Sequence, residues 1–317
     1  MSGPDDPDPN QRKIGHLAIC GTGLLLGLVP WFKDLLVDQY YCTWIVFFRV
    51  IIALITISAV VFIKRCLLGQ NNDRFLIASR KHVLSFIGYG AVSITAVYYF
   101  YIKSLTLTTA AISVISVFTA APFTTLVVSF SFKKARASKR EIFCIIIIVI
   151  GCVLVNWEAI GNLQQREGIF YGLLTGLCYG LFSIFGDNLK RHYHYTTMMF
   201  WQFLIATLTS VGIVLFVPNK GPAVVDSLKV LAPQELWGIL GIGVIATFIP
   251  YILYSFGLKK GAKPSTASAL TTLEPISATI VAYCFMDEKL TVLQAIGIIV
   301  VIISSCFLAL KKEHLTE

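Results

Sequence analysis

Residues 15–36 read GHLAICGTGLLLGLVPWFKDLL, and residues 168–189 read GIFYGLLTGLCYGLFSIFGDNL. Shifted by 153 positions, the two stretches agree at nine of 22 places without a gap. Gly15, Thr22, Gly23, Leu24, Gly27, Leu28, Phe32, Asp34 and Leu36 fall on Gly168, Thr175, Gly176, Leu177, Gly180, Leu181, Phe185, Asp187 and Leu189. The register holds further on. Gly88 and Gly90 meet Gly241 and Gly243, Tyr98 and Tyr101 meet Tyr251 and Tyr254, and Pro122 meets Pro275. Apolar composition alone produces chance matches of Leu with Leu. Shared Gly, Pro and Asp at one constant offset mark a duplicated unit.

What kind of unit follows from composition. The chain has 317 residues, 56% of them hydrophobic and 14% charged, with a mean hydropathy of +0.76. Soluble domains carry about 25% charged residues, so a soluble enzyme is excluded. Apolar dominance excludes disorder as well. A membrane helix takes roughly 20 residues. Ten apolar runs are expected as spans, at 14–32, 41–62, 82–102, 106–130, 141–157, 168–186, 196–216, 234–257, 264–286 and 291–310. The run that follows Arg12 and Lys13 shows no small-residue cleavage site, so it reads as a retained span. The fold class is therefore an all-α integral membrane protein. Its parts are a polar N-tail (1–13), a first five-helix repeat (14–157), a second (168–310) and a C-tail (311–317).

Five is odd, so the second copy enters the bilayer from the opposite face. That makes an inverted repeat, an architecture of secondary transporters. Charge supports it. The tails and even-numbered loops hold 19 Lys and Arg, the other loops hold 6, and Arg49 lies within a span. Basic residues stay on the cytoplasmic side, so both termini are expected there, in a multi-pass plasma-membrane protein. The same bias accounts for most of the net charge of +9, and no nucleic-acid partner is needed.

The stretch LEPISATIVAYCFMDEKLTVLQAIGIIVVI, from Leu273 to Ile302, resembles the drug/metabolite transporter superfamily of EamA type. The family pattern has Leu-Glu-Pro in the ninth helix, an acidic residue closing it and a Gly in the tenth. Glu274, Pro275, Glu288 and Gly297 fill these places, and FFRVIIALI at 47–55 resembles the second-helix pattern with Arg49. The first repeat departs from the pattern, with Ala121 opposite Glu274 and Ala135 opposite Glu288. The resemblance spans residues 14–310 and implies a carrier of small organic solutes, often an amino-acid or metabolite exporter.

Two ionisable residues fall at membrane depth. Counting about 1.5 Å per residue, Arg49 and Glu274 lie roughly 12 and 15 Å into their spans, near the middle of a layer about 30 Å thick. Charges there face the bundle interior, a partner or water. Arg49 is read as holding a substrate anion, and Glu274 as holding a cationic group or a coupling proton; the competing reading is a structural ion pair between them. Neither charge is duplicated, since Arg49 falls on Gln202 and Glu274 on Ala121. Pro122 and Pro275 free carbonyls in the preceding turn, which must face protein or a water-filled cavity. The expected substrate site is Arg49, Glu274, Tyr179, Gln202, Thr119, Pro122, Thr272 and Pro275. Tyr98, Tyr99, Tyr101, Tyr251 and Tyr254 lie towards expected span ends and read as an interfacial belt. Gly23, Gly27, Gly176 and Gly180 read as close helix contacts, and Asp34 and Asp187 as helix-end residues.

No nucleotide-binding GxxxxGK[ST], HExxH or GxSxG motif occurs. The eight cysteines form no CxxC pair, and His192-x-His194 lacks a third ligand. No cofactor and no metal are expected. The favoured function is secondary transport of an amino-acid-like solute by alternating access, with proton coupling and a homodimer left open. A nucleotide, nucleoside, S-adenosyl compound or nucleotide sugar is the alternative cargo. A membrane-embedded enzyme or lipid-handling protein is the alternative class.

Overall fold

The structure, a computed structural model, describes residues 9–36, 42–67, 80–120, 123, 139–190, 192–216, 232–262 and 264–310. Long runs of Ile, Leu, Val and Phe with few breakers make helices, and in lipid the helix satisfies its own backbone. Helix α1 comprises Pro9–Leu26 and, after a tight turn, Val29–Asp34. α2 is Cys42–Leu67. α3 is one rod of three parts: Arg80–Ile87, Gly88–Ala96 and Val97–Leu107. α4 begins with Ala110–Val117, and α5 is Lys139–Asn156. The second set repeats the first. It comprises α6 (Leu163–Leu189), α7 (Tyr195–Phe216) and α8 (Pro233–Leu240, Gly241–Phe248 and Ile249–Lys259). It continues with α9 (Pro264–Leu270 and Leu273–Phe285) and ends with α10 (Val292–Leu310). Among the described residues there is no strand.

The bundle is apolar outside and mixed inside. Leu17, Ile55, Leu208 and Phe216 face outward, while Ser93, Thr95, Ser113, Thr175 and Thr247 are buried. Hydrocarbon is the solvent this surface suits. Asn10–Asp34, Cys42–Ile63, Arg80–Leu107, Tyr195–Phe216 and Pro233–Lys259 are each long and apolar enough to cross a bilayer.

The copies meet through equivalent helices: α2 packs on α7, α4 on α9 and α5 on α10. Tyr98 and Tyr251, one repeat length apart, touch through their hydroxyls at 3.4 Å. A residue can meet its own repeat mate only beside the pseudo-two-fold axis. The first helices are exchanged, with α1 lying on α8 and α9 and α6 lying on α3 and α4. The glycines of the duplicated stretch allow this. A β-carbon on Gly27 would stand 2.6 Å from Ser277 Cβ, and one on Gly176 would stand 2.8 Å from the Ser116 carbonyl.

The central parts of α3 and α8, Gly88–Ala96 and Gly241–Phe248, are π-helical and occupy the same place in the two repeats. Buried hydroxyls fill these widened turns, each donating to a carbonyl five residues back. Ser93 bonds Gly88 at 3.4 Å, Thr95 bonds Gly90 at 3.3 Å, and Thr247 bonds Ile242 at 2.7 Å. Such insertions are rare and concentrate at functional sites.

Helices α4 and α9 are interrupted at matching points. Thr119 donates to the Ser116 carbonyl and Thr272 to the Ala269 carbonyl, both at 2.6 Å. In α9 the cause is visible. Pro275 has no N–H for the Thr271 carbonyl, which accepts instead from the Glu274 N–H at 3.0 Å.

Candidate functional site

The second-helix arginine is buried, 2% exposed, and is held on three sides. Its Nε donates to Thr247 Oγ1 at 2.7 Å and one Nη to the Ala246 carbonyl at 3.3 Å, both in the π-helical part of α8. Its guanidinium carbon lies 3.6 Å above the Tyr98 ring, well inside cation–π range. Its other terminal nitrogen, Nη1, is buried without a hydrogen-bond partner. Arg49 thus ties α2 to α8 and α3 and keeps one donor uncommitted.

Glu274 sits in the first turn after the break in α9 and is half-buried. Arg49 is close enough to act on its charge, yet among the described residues no hydrogen bond or ion pair joins them. Tyr101 and Tyr179 lie within electrostatic reach of Glu274. Tyr179 stacks on Phe182 at 5.8 Å, is 38% exposed, and lies within electrostatic reach of Tyr98 and Tyr254 as well.

The remaining expected residues are placed as follows. Gln202 is fully buried, and neither its Oε1 nor its Nε2 has a hydrogen-bond partner. The Thr119 and Thr272 hydroxyls are turned onto backbone carbonyls, and Pro275 is buried beside Glu274. Pro122 lies outside the described residues, as does the Asp187 side chain. His192 lies against His82, with ring centroids 4.5 Å apart and the rings tilted by 44°, and His82 shares a 2.9 Å hydrogen bond with Tyr193. Among the described residues, no three His, Cys, Asp or Glu side chains gather to hold a metal.

The belt reading of Tyr98, Tyr101 and Tyr251 is corrected. Tyr98 and Tyr101 are each 5% exposed and belong to the main core, and Tyr251 packs against that core, meeting Tyr98 and the Phe203 ring. The reason is length. Helix α3 runs to Leu107 rather than 102, and α8 to Lys259 rather than 257, so these tyrosines lie deeper than the expected ends imply. Two signals could have found them: duplication at the 153-residue offset and the three-residue spacing that puts Tyr98 and Tyr101 on one face.

The pattern of the EamA-like transporter family matches the chain twice, at residues 13–157 and 166–310. The chain belongs to the EamA-like transporter family. This EamA protein is 23% identical over 271 residues to an uncharacterized transporter of Archaeoglobus fulgidus, covering 84% of this chain and 87% of that one. A second uncharacterized transporter of the same organism is 27% identical over 130 residues, which span 41% of this chain and 43% of the relative. The uncharacterized inner membrane transporter YhbE of Escherichia coli K12 is 24% identical over 134 residues, 42% of this chain and 40% of YhbE. A solved crystal structure shares the fold with a TM-score of 0.64 at 13% identity, covering 96% of this chain and 99% of that one. The EamA protein is thus a multi-pass membrane transporter of two inverted five-helix repeats.

Proposed function

We propose that this transporter is a secondary carrier moving a small amino-acid-like metabolite by alternating access, in the plasma membrane, with both termini cytoplasmic. The observation that carries the reading is the pairing of a half-buried Glu274 carboxylate, free of any ion pair among the described residues, with an uncommitted Arg49 Nη1 in the same region between the repeats. An amine suits the first and a carboxylate the second. The tyrosines around them supply walls against which a small aliphatic or aromatic body packs. Alternating access rests on the interrupted helices and the inverted repeat, which let one site face either side by rocking of the repeats.

Counterflow in proteoliposomes tests this. Vesicles are loaded with pooled amino acids and nucleosides, and the exchanged species are read by mass spectrometry. Saturable exchange of amino acids is expected. Saturable exchange of nucleosides alone would overturn the cargo, and no exchange with either pool would overturn the carrier reading for both classes. Glu274→Gln is expected to abolish gradient-driven uptake and its pH dependence while leaving exchange measurable. An unchanged pH profile would end the proton-coupling part.

A further inference from the structure

On the face of the bundle away from the termini, α9 ends near the start of α4. Both Glu288 carboxylate oxygens accept from the Ala110 N–H, at 3.1 and 3.0 Å. Ala110 opens α4, and its N–H has no partner within its own helix. A carboxylate from the second repeat therefore caps a helix of the first, where the helix dipole favours negative charge. The approach is built in. Asp287, the residue before, is at φ 53°, the one non-glycine with positive φ among the described residues. That left-handed turn, with the Glu288 N–H bonded to the Ala282 carbonyl at 3.2 Å, swings the chain off α9 towards α4. Aspartate tolerates the conformation better than most residues, but it is a strained one. Burial raises the Glu288 carboxyl above its usual range, with the Ala110 N–H opposing, Asp34 raising it further and Lys33 lowering it.

One repeat length earlier than Glu288 the sequence has Ala135, whose side chain carries no acceptor. The asymmetry is written in the sequence and given a geometry by the fold.

We propose that Glu288 is the positioning residue that latches the face remote from the termini, and that α4 must leave it before the central site opens to that side. The proposal rests on the alternating-access reading. Thr106 lies four residues before Ala110, and its hydroxyl meets Cys42 Sγ at 3.9 Å. Cys42 and Glu288 both feel the charge of Lys33, and the Thr106 contact places the thiol at the end of α3 that leads into Ala110. Thr106 lies in the last turn of α3, which is joined to Ala110 only through Thr108 and Thr109, so when α4 leaves Glu288 this end of α3 moves from the half-buried Cys42.

The test is the rate at which a membrane-impermeant maleimide labels Cys42, read by peptide mass spectrometry on the full-length protein in liposomes. Glu288→Ala is expected to speed labelling about tenfold, the size of effect that loss of a charged hydrogen bond produces. Ala110→Pro removes the donor instead of the acceptor. Proline suits the first helical position, and Thr109 before it is already extended, at φ −80° and ψ 161°. It should match Glu288→Ala, and the double variant should be no faster than either. Glu288→Gln keeps shape and an acceptor oxygen and should give a smaller increase. Unchanged Cys42 labelling in all three, or additive effects in the double variant, would overturn the latch. Labelling needs no cargo, so failure here leaves the carrier reading standing, and failed counterflow leaves the labelling result interpretable.

Discussion

Two corners of the molecule share a backbone and differ in chemistry. In one, Arg49 of α2 reaches the π-helical part of α8 through Thr247 and the Ala246 carbonyl. In the other, α7 meets the π-helical part of α3. There Gln202 stands at the position of Arg49 with both amide atoms unpartnered. The join is made by Thr95 instead, which bonds the Ala206 carbonyl at 3.1 Å and Thr209 Oγ1 at 2.7 Å. The same helical geometry is thus held once by a buried cation and once by neutral hydroxyls. Duplication fixed the shape, and each copy could then take a different charge without changing it.

Substitutions can erase that difference or expose what depends on it. Arg49→Gln makes the first corner a copy of the second and should have the largest effect, a loss of roughly 2–3 kcal/mol from the charged hydrogen bonds. Thermal unfolding in detergent measures it, and an unchanged midpoint would mean that Arg49 does not hold α2 to α8. Gly90→Ala and Gly243→Ala probe what the corners share. The added β-carbons would stand 2.7 Å from Ile205 and 2.6 Å from Ile52, which are themselves repeat mates. Each should cost about 1–3 kcal/mol by overpacking, and the two costs should agree. Unequal costs in the same assay would show that the corners differ in packing as well as charge. Gln202→Leu has the smallest expected effect, within about 1 kcal/mol of neutral or stabilising, because it removes a buried amide that has no partner. A clear loss of stability would reveal a partner, a bound water or solute, at that amide.

Much of this was legible in the sequence. The duplicated glycines announced the close helix contacts, the odd number of spans announced the inversion, and the lone Arg and Glu at membrane depth led to the central region. The π-helical parts were not legible. They depend on hydroxyls of Ser93, Thr95 and Thr247 bonding five residues back, and a hydrophobic period does not record that choice. The buried tyrosines were misplaced because helix ends are poorly marked where apolar residues run on without a cap. Gln202 was found by position alone, as the mate of Arg49, and the orphaned state of its amide needed coordinates. The Glu288 contact joins residues 178 positions apart and owes its geometry to one left-handed aspartate. No local pattern encodes that.

The exchange of first helices bears on how the protein is made. Gly15 of α1 packs against Gly257 of α8, where a β-carbon would meet the opposing carbonyl at 2.8 Å. Helix α1 therefore leaves the ribosome well before α8 and α9, the helices it rests against. Until then its glycine stripe faces lipid or the insertion machinery. Neither set of five helices packs its own first helix, so each half relies on the other to bury it. A chain cut between the repeats would strand each half without the helix that packs across it.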